Sequence, residues 1–213
     1  MALPAARGGA FVLLACALML SAACTSLRTQ SPDSAQTPWS QRLPTLQNLR
    51  HFDLQGKVGV SNGNDGFSAG LRWQQNDDQA SIDLSAPLGF GAAHIQQTDD
   101  VLRVTTSRGV TLDSVAANDE LRATLGFDAP LRSLRYWVVG ASDPASQAQE
   151  TLDARQRLRH LEQGGWQVDY GDYTLVPAVP GPQWLPQSLT ATRDALRLKI
   201  VIHDWKLYSI LGD

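Results

Sequence analysis

The sequence predicts a β-rich α+β fold: a strongly curved antiparallel sheet with its helices gathered over one face. Three observations carry this. Apolar and polar residues alternate with period two along several segments, as in antiparallel strands buried on one side. Clusters rich in Asn, Asp and Gly separate those segments, so neighbouring strands can pair as a meander. Helix-like spacings of three and four occur only before the first strand and in the middle of the chain, so parallel crossovers are not expected.

The N-terminus stands apart from this pattern. Arg7 precedes an apolar run from Phe11 to Leu20. At about ten residues the run is too short to cross a bilayer, which takes about 20, but it has the layout of a secretory signal. The junction Leu20-Ser21-Ala22-Ala23-Cys24 resembles a bacterial lipobox, in which a Cys after small residues receives diacylglycerol. Residues 1–23 are therefore expected to be a lipoprotein signal peptide, with Cys24 lipidated. Cys16 is the only other cysteine, and its use would leave a very short apolar run. The mature chain then has no internal disulfide and relies on its core. Thr25 stands where Asp would favour retention at the inner membrane, which points to the outer one. Residues 24–38 form the lipidated N-terminus and a polar tether without aromatic residues, with a coil reach of roughly 20 Å. Residues 39–213 form the folded domain.

Within that domain, Trp39, Leu43, Leu46, Leu49 and Phe52 recur at helical spacing, and Pro44 is expected to break or bend the helix. Strands follow. Leu54, Val58 and Val60 alternate with Gln55 and Lys57; Phe67, Ala69, Leu71 and Trp73 share a face, and Ile82 and Leu84 share another. Leu102 and Val104 extend the meander. From Asn118 to Val139 the period lengthens. One short helix, capped by Asn118, is expected to carry Leu121 and Leu125. A second carries Leu131, Leu134, Trp137 and Val138 on one stripe. Residues 140–149 read as a loop. Alternation returns in Trp166, Val168 and Tyr170, and in Leu196, Leu198, Ile200 and Ile202. A sheet covered by helices can enclose either a plain core or a lipid pocket with a lid, and alternation alone favours the plain core.

Several function classes are disfavoured. The formal net charge is -3 and no basic block occurs, so no nucleic-acid partner is expected. His51, His94, His160 and His203 are widely spaced surface or turn residues and match no metal motif. Asp77-Asp78 and Asp99-Asp100 fall in hairpin turns, where Asp serves backbone geometry. Neither a nucleophile elbow nor a phosphate loop is present. An enzyme is therefore not expected, nor a cofactor or metal.

The apolar residues are more informative. Trp73, Trp137, Trp166 and Trp205 fall on inward faces or element ends, whereas Trp184 reads as a loop or edge residue. The bend Ser85-Ala86-Pro87-Leu88-Gly89-Phe90-Gly91 carries Leu88 and Phe90 where polar residues are usual. These side chains can fold back onto the core or project outward, and an exposed Leu gains roughly 1.5–3 kcal/mol on entering an apolar phase.

Taken in order, Cys24, Trp73-Gln74-Gln75, Pro87-Leu88-Gly89, Ser133 to Gly140, Gly165 to Tyr170 with Tyr173, Leu185-Pro186, and Leu198-Lys199-Ile200 leading to Trp205 resemble the outer-membrane lipoprotein receptor family LolB. The chain departs from the family at Ser21 in the lipobox and in a longer loop at residues 140–144. The resemblance implies an incomplete antiparallel β-barrel with an α-helical lid enclosing an apolar cavity. It implies a receptor, lipid-anchored on the periplasmic face of the outer membrane, that accepts acylated lipoproteins from the periplasmic carrier LolA. The cargo is then released into the inner leaflet of that membrane. Pro87, Leu88, Gly89 and Phe90 would form the membrane-insertion loop. By alternation, Trp73, Ile82, Leu84, Ile95, Leu102, Trp137, Trp166 and Ile200 are expected on the acyl-chain face, and a monomer is expected. The alternatives are a LolA-like free carrier, and an envelope hydrolase or a structural envelope lipoprotein without a ligand.

Overall fold

The computed structural model describes residues 37–63, 65–85, 92–98, 101–125, 129–179 and 181–208. Cys24, the tether up to residue 36, the stretch Pro87-Leu88-Gly89-Phe90 and the pair Asp99-Asp100 lie outside the described residues.

The domain begins with α1, Trp39–Gln47. The backbone amides of Gln41 and Arg42 donate to the Pro38 carbonyl and close its first turn. The break expected at Pro44 does not occur. Pro44 lacks only the amide that would have reached one turn back, and its own carbonyl accepts from Asn48 at 3.0 Å. Leu46, buried one residue before the helix ends, holds that last turn against the core.

Six strands follow: β1 (His51–Asn62), β2 (Asp65–Asn76), β3 (Gln79–Ser85), β4 (Ala92–Thr98), β5 (Val101–Thr106) and β6 (Thr111–Asp113). Two helices, α2 (Ser114–Leu125) and α3 (Leu131–Val138), come next. Then come β7 (Ala148–Leu152), β8 (Leu158–Gln163), β9 (Trp166–Tyr170), β10 (Tyr173–Val176), β11 (Gln183–Pro186), β12 (Ser188–Arg193) and β13 (Leu196–Leu207). Eleven of these strands form one sheet, ordered β6-β5-β4-β3-β2-β1-β13-β12-β9-β8-β7, while β10 and β11 pair separately. All pairings are antiparallel. The large sheet ends on β6 and β7 without closing, so the barrel is incomplete.

Register explains how alternation in sequence becomes a continuous inner wall. Val104, Ile95, Ile82, Trp73, Leu54 and Trp205 are direct cross-strand neighbours in that order, and all are buried. Trp205 joins the row because of a bulge. The partner on β13 steps from Asp204 to Ile202 between Gln55 and Gly56, leaving His203 extra. That single insertion resets the parity, so Leu198, Ile200 and Ile202 face inward before it and Trp205 after it. Gly56 is required at this point, because an added Cβ would overlap the Val201 carbonyl oxygen.

Three features depart from the sequence reading. Helix α2 starts at Ser114, so Asn118 is not its cap; the Asn118 side-chain amide donates to the Ser114 carbonyl from inside the helix. Strands β6, β7 and β8 have too little apolar alternation to stand out, and β7 begins at Ala148, inside the segment read as loop. The histidines, expected at the surface or in turns, lie on strands at half-buried or exposed positions. His94 bonds Asp83 and His160 bonds Asp169, each at 2.7 Å and each across a strand pair. Trp184 is half-buried in the small β10–β11 sheet, close to the edge position expected of it.

Candidate functional site: an apolar cleft beneath α3

The inner face of the sheet differs between its two halves. In the first half, a cleft lies between α3 and strands β1 to β4 and β13. Its walls are Val58, Val60, Phe67, Leu71, Trp73, Ile82, Leu84, Ile95, Leu198 and Ile200 from the strands, with Ala129, Leu131 and Leu134 above them. Every lining residue is apolar. The wall follows from the register: Val60 pairs with Phe67 and Leu198, Leu71 with Leu84, and Ile82 with Ile95. The roof follows from helical spacing, since Leu131 and Leu134 are three residues apart and point the same way.

Trp73, Ile82, Leu84, Ile95 and Ile200, all expected from alternation, meet in this cleft. Leu102, Trp137 and Trp166 do not line it. Leu102 is buried on β5, against which α2 lies. Trp137 and Trp166 pack on each other, ring centres 6.2 Å apart, in the other half. Alternation identified the inward faces of Leu102 and Trp166, and the helical stripe that of Trp137, but neither could say which half of the sheet each would pack in. Phe67, Leu71 and Leu198 could have been selected by the same signal. Leu131 and Leu134 needed the fold, because nothing local says what a helix stripe covers.

The free volume of the cleft is about 60 Å³. Pockets that bury a drug-sized ligand run about 300–1,000 Å³. The expected hollow is thus nearly closed by its own side chains, and a long chain enters only if α3 lifts or the walls rearrange. A larger concavity of about 880 Å³ lies against the polar face of β1 to β5, among Asp53, Gln74, Ser81, Gln96 and Arg103. Its amide and charged lining is unsuited to hydrocarbon.

In the second half the interior is tied by polar groups. Gln163 is 2% exposed. Its carbonyl accepts from Trp137 Nε1 and from the Asp143 amide, both at 2.9 Å, and its amide donates to the carbonyls of Asp143 and Ser146. The turn after α3 delivers Asp143 to this point. Gly140, at φ 78°, ends the helix, and the amides of Gly140 and Ala141 return to the carbonyls of Trp137 and Tyr136. Asp143 Oδ2 in turn accepts from Ser133 Oγ on α3.

Helix α1 is fixed in the same manner. Arg42 is buried and donates to the Trp184 carbonyl at 2.5 Å; burial lowers its pKa, the direction expected when a cation leaves water. Gln47 donates to the Ser142 carbonyl, and Trp39 Nε1 donates to Glu150 on β7. The Arg157 guanidinium stacks over Tyr173 and bonds Asp153. Burial alone would raise Asp153, but the hydrogen bonds from Arg157 and from the Arg155 amide outweigh it and hold the carboxyl below its usual value. Burial raises Tyr173, whose hydroxyl donates to the Leu158 carbonyl. The Tyr170 hydroxyl is buried without a partner among the described residues, and its pKa rises accordingly.

Among the described residues no three His, Cys, Asp or Glu side chains gather as metal ligands, and no helix is long and apolar enough to cross a membrane. What the cleft can do chemically is hold hydrocarbon.

Residues 50–205 match the family described as outer membrane lipoprotein LolB. The chain is 31% identical over 194 residues to the outer-membrane lipoprotein LolB of Nitrosococcus oceani, covering 89% of this chain and 94% of that one. It is 33% identical over 198 residues to the protein of that name from Pseudomonas paraeruginosa, covering 91% and 94%. In three dimensions it is similar to a LolA superfamily protein from Nitrosomonas europaea, with a TM-score of 0.50 at 9% identity, over 82% of this chain and 95% of that one. A DUF1329 family protein from Desulfovibrio piger gives 0.51 at 8% identity, over 82% and 92%. At these identities the two structures share the fold alone with this chain.

Proposed function

The chain belongs to the LolB family of outer-membrane lipoproteins, and on that premise we propose that it is an outer-membrane receptor for acylated lipoproteins. Its role is lipoprotein localisation. It accepts cargo from the periplasmic carrier LolA and delivers it to the inner leaflet of the outer membrane. Cys24 carries the lipid anchor, residues 25–38 tether the domain, and Pro87 to Phe90 form the loop that enters the bilayer.

The observation that supports this reading best is the cleft beneath α3, walled on every side by apolar side chains. Each buried CH₂ of an acyl chain is worth roughly 0.8 kcal/mol. A triacylated protein therefore cannot cross water unshielded, and a dry cleft under a helical lid meets that need. Because the cleft is nearly closed, cargo exchange is a competition between lid and chain. Leu131, Leu134 and Ala129 fill the space when no cargo is present and yield it when acyl chains arrive. Transfer from the carrier then needs only tighter binding here, and about 1.4 kcal/mol gives a tenfold bias.

The test uses the lipidated protein, a carrier loaded with triacylated lipoprotein, and liposomes. Wild type accepts and deposits the cargo. A Leu88→Glu variant accepts it but leaves it undeposited; full deposition by that variant would remove the loop from the mechanism. A free carrier of the same fold is the second reading, and mass spectrometry of the mature N-terminus separates the two, since a carrier has no diacylglycerol on Cys24.

A further inference from the structure

We propose that Arg135 is the polar end of the acyl site, donating to the carbonyl oxygens where the chains join their headgroup. This rests on the reading that the cleft takes acyl chains.

Arg135 lies on α3, one turn beyond Leu131, which roofs the cleft. Residues four apart on a helix are neighbours on one face, about 6 Å between their Cβ atoms. The guanidinium is largely covered, with 13% of the side chain exposed. One arm reaches across to the β2–β3 turn, where Nη1 donates to Asp78 Oδ1 at 2.9 Å. Nε and the other terminal nitrogen, Nη2, are buried and meet no acceptor among the described residues. Buried charged donors are ordinarily paired, because leaving them unmet is costly.

A buried guanidinium with unfilled donors one turn from a dry cleft fits a ligand that is hydrocarbon along its length and carries acceptor oxygens at one end. Ester-linked acyl chains have this pattern, whether they sit on a lipoprotein cysteine or on a phospholipid. Entry of such a ligand fills the cleft and the unmet donors together. In the empty protein the same residue holds α3 to Asp78. Arg135 thereby links the closed lid to the occupied one.

The experiment measures binding of a synthetic tripalmitoylated cysteinyl peptide and of a counterpart whose two ester chains are replaced by alkyl ethers of equal length. A second probe pair, diester and diether phosphatidylcholine, shows whether membrane lipid is recognised in the same way. Wild type is expected to prefer the ester form of at least one pair about tenfold. Arg135→Met abolishes that preference while still binding the ether. Arg135→Lys keeps the charge but loses the fork, and also weakens the preference, which covers the case in which the Met variant does not fold. Equal ester and ether binding by wild type overturns the proposal and leaves the cleft reading intact. Binding of neither form by wild type overturns both.

Discussion

The two halves of the inner sheet face are built from the same alternating strands yet are closed in opposite ways. Beneath α3, the cleft between the helix and strands β1 to β4 and β13 is lined by apolar side chains alone, and a small void remains. Around β7 to β9, β12 and α1, the contacts run through Gln163, Asp143, Arg42 and Trp39, each with a named hydrogen-bond partner. Dispersion and hydrophobic contacts are non-directional, so a partly filled apolar wall can slide and refill at modest cost. A buried hydrogen-bond network cannot, because shifting one member orphans the rest. One half is therefore suited to exchange its contents, while the other holds the frame.

The sharpest way to break this comparison is to cut the frame at its centre. Gln163→Leu leaves Trp137 Nε1 and the Asp143 amide unpaired and takes one donor from each of the Asp143 and Ser146 carbonyls. At about 1–3 kcal/mol for each orphaned donor, we expect at least about 2 kcal/mol of lost stability, read from denaturant melts. A loss below 1 kcal/mol would mean the network is not what fixes this half. Next in size is Leu134→Ala, a truncation of the roof, which we expect to cost about 2–3 kcal/mol. Unlike the first, it should increase uptake of a palmitoylated probe by enlarging the cleft. Reduced uptake would contradict the assignment of Leu134 as a movable roof. Ile82→Phe sharpens the same point at smaller cost, about 1 kcal/mol: added volume in the cleft should block the probe while leaving melting nearly unchanged.

The smallest effect concerns the outer surface. The hydrogen bond to Asp169 raises the His160 pKa above its ordinary value; burial opposes this and Glu162 assists. A group with a raised folded pKa contributes stability that is fully present below about pH 6.5, its unfolded value, and is lost as pH rises through the folded value. The melting temperature of wild type should therefore exceed that of His160→Gln by more at pH 5.5 than at pH 8.5. A gap independent of pH would show that the pair carries no proton linkage.

How much of this was legible in the residues follows from the same contrast. The first half could be read because period two reports inward faces directly: Trp73, Ile82, Leu84, Ile95 and Ile200 were expected on one surface and share one cleft. Leu102, Trp137 and Trp166 are buried as well, but where each packs depends on strand order and on how α3 lies over the sheet, which no local pattern encodes. In the second half α1 and β9 could be read, but the polar network that ties them could not. Arg42 in an amphipathic helix and Gln163 before two glycines look like surface residues until long-range partners bury them. Strands β7 and β8 escaped notice for a related reason: Glu150 lies opposite Leu161 on β8 and accepts from Trp39, so the apolar alternation is interrupted where the network begins. The bulge at Gln55 and Gly56, which turns Trp205 inward, was marked only by a glycine in a strand.

The central claim, that acyl chains occupy the space beneath α3 and leave the tied half undisturbed, has a direct test in tryptophan quenching by a lipopeptide with brominated acyl chains. Trp73 lines the cleft, whereas Trp166 is buried in the other half. Trp73→Phe is expected to remove most of the quenching and Trp166→Phe to retain it. Undiminished quenching in the Trp73→Phe protein would place the chains elsewhere and contradict that claim.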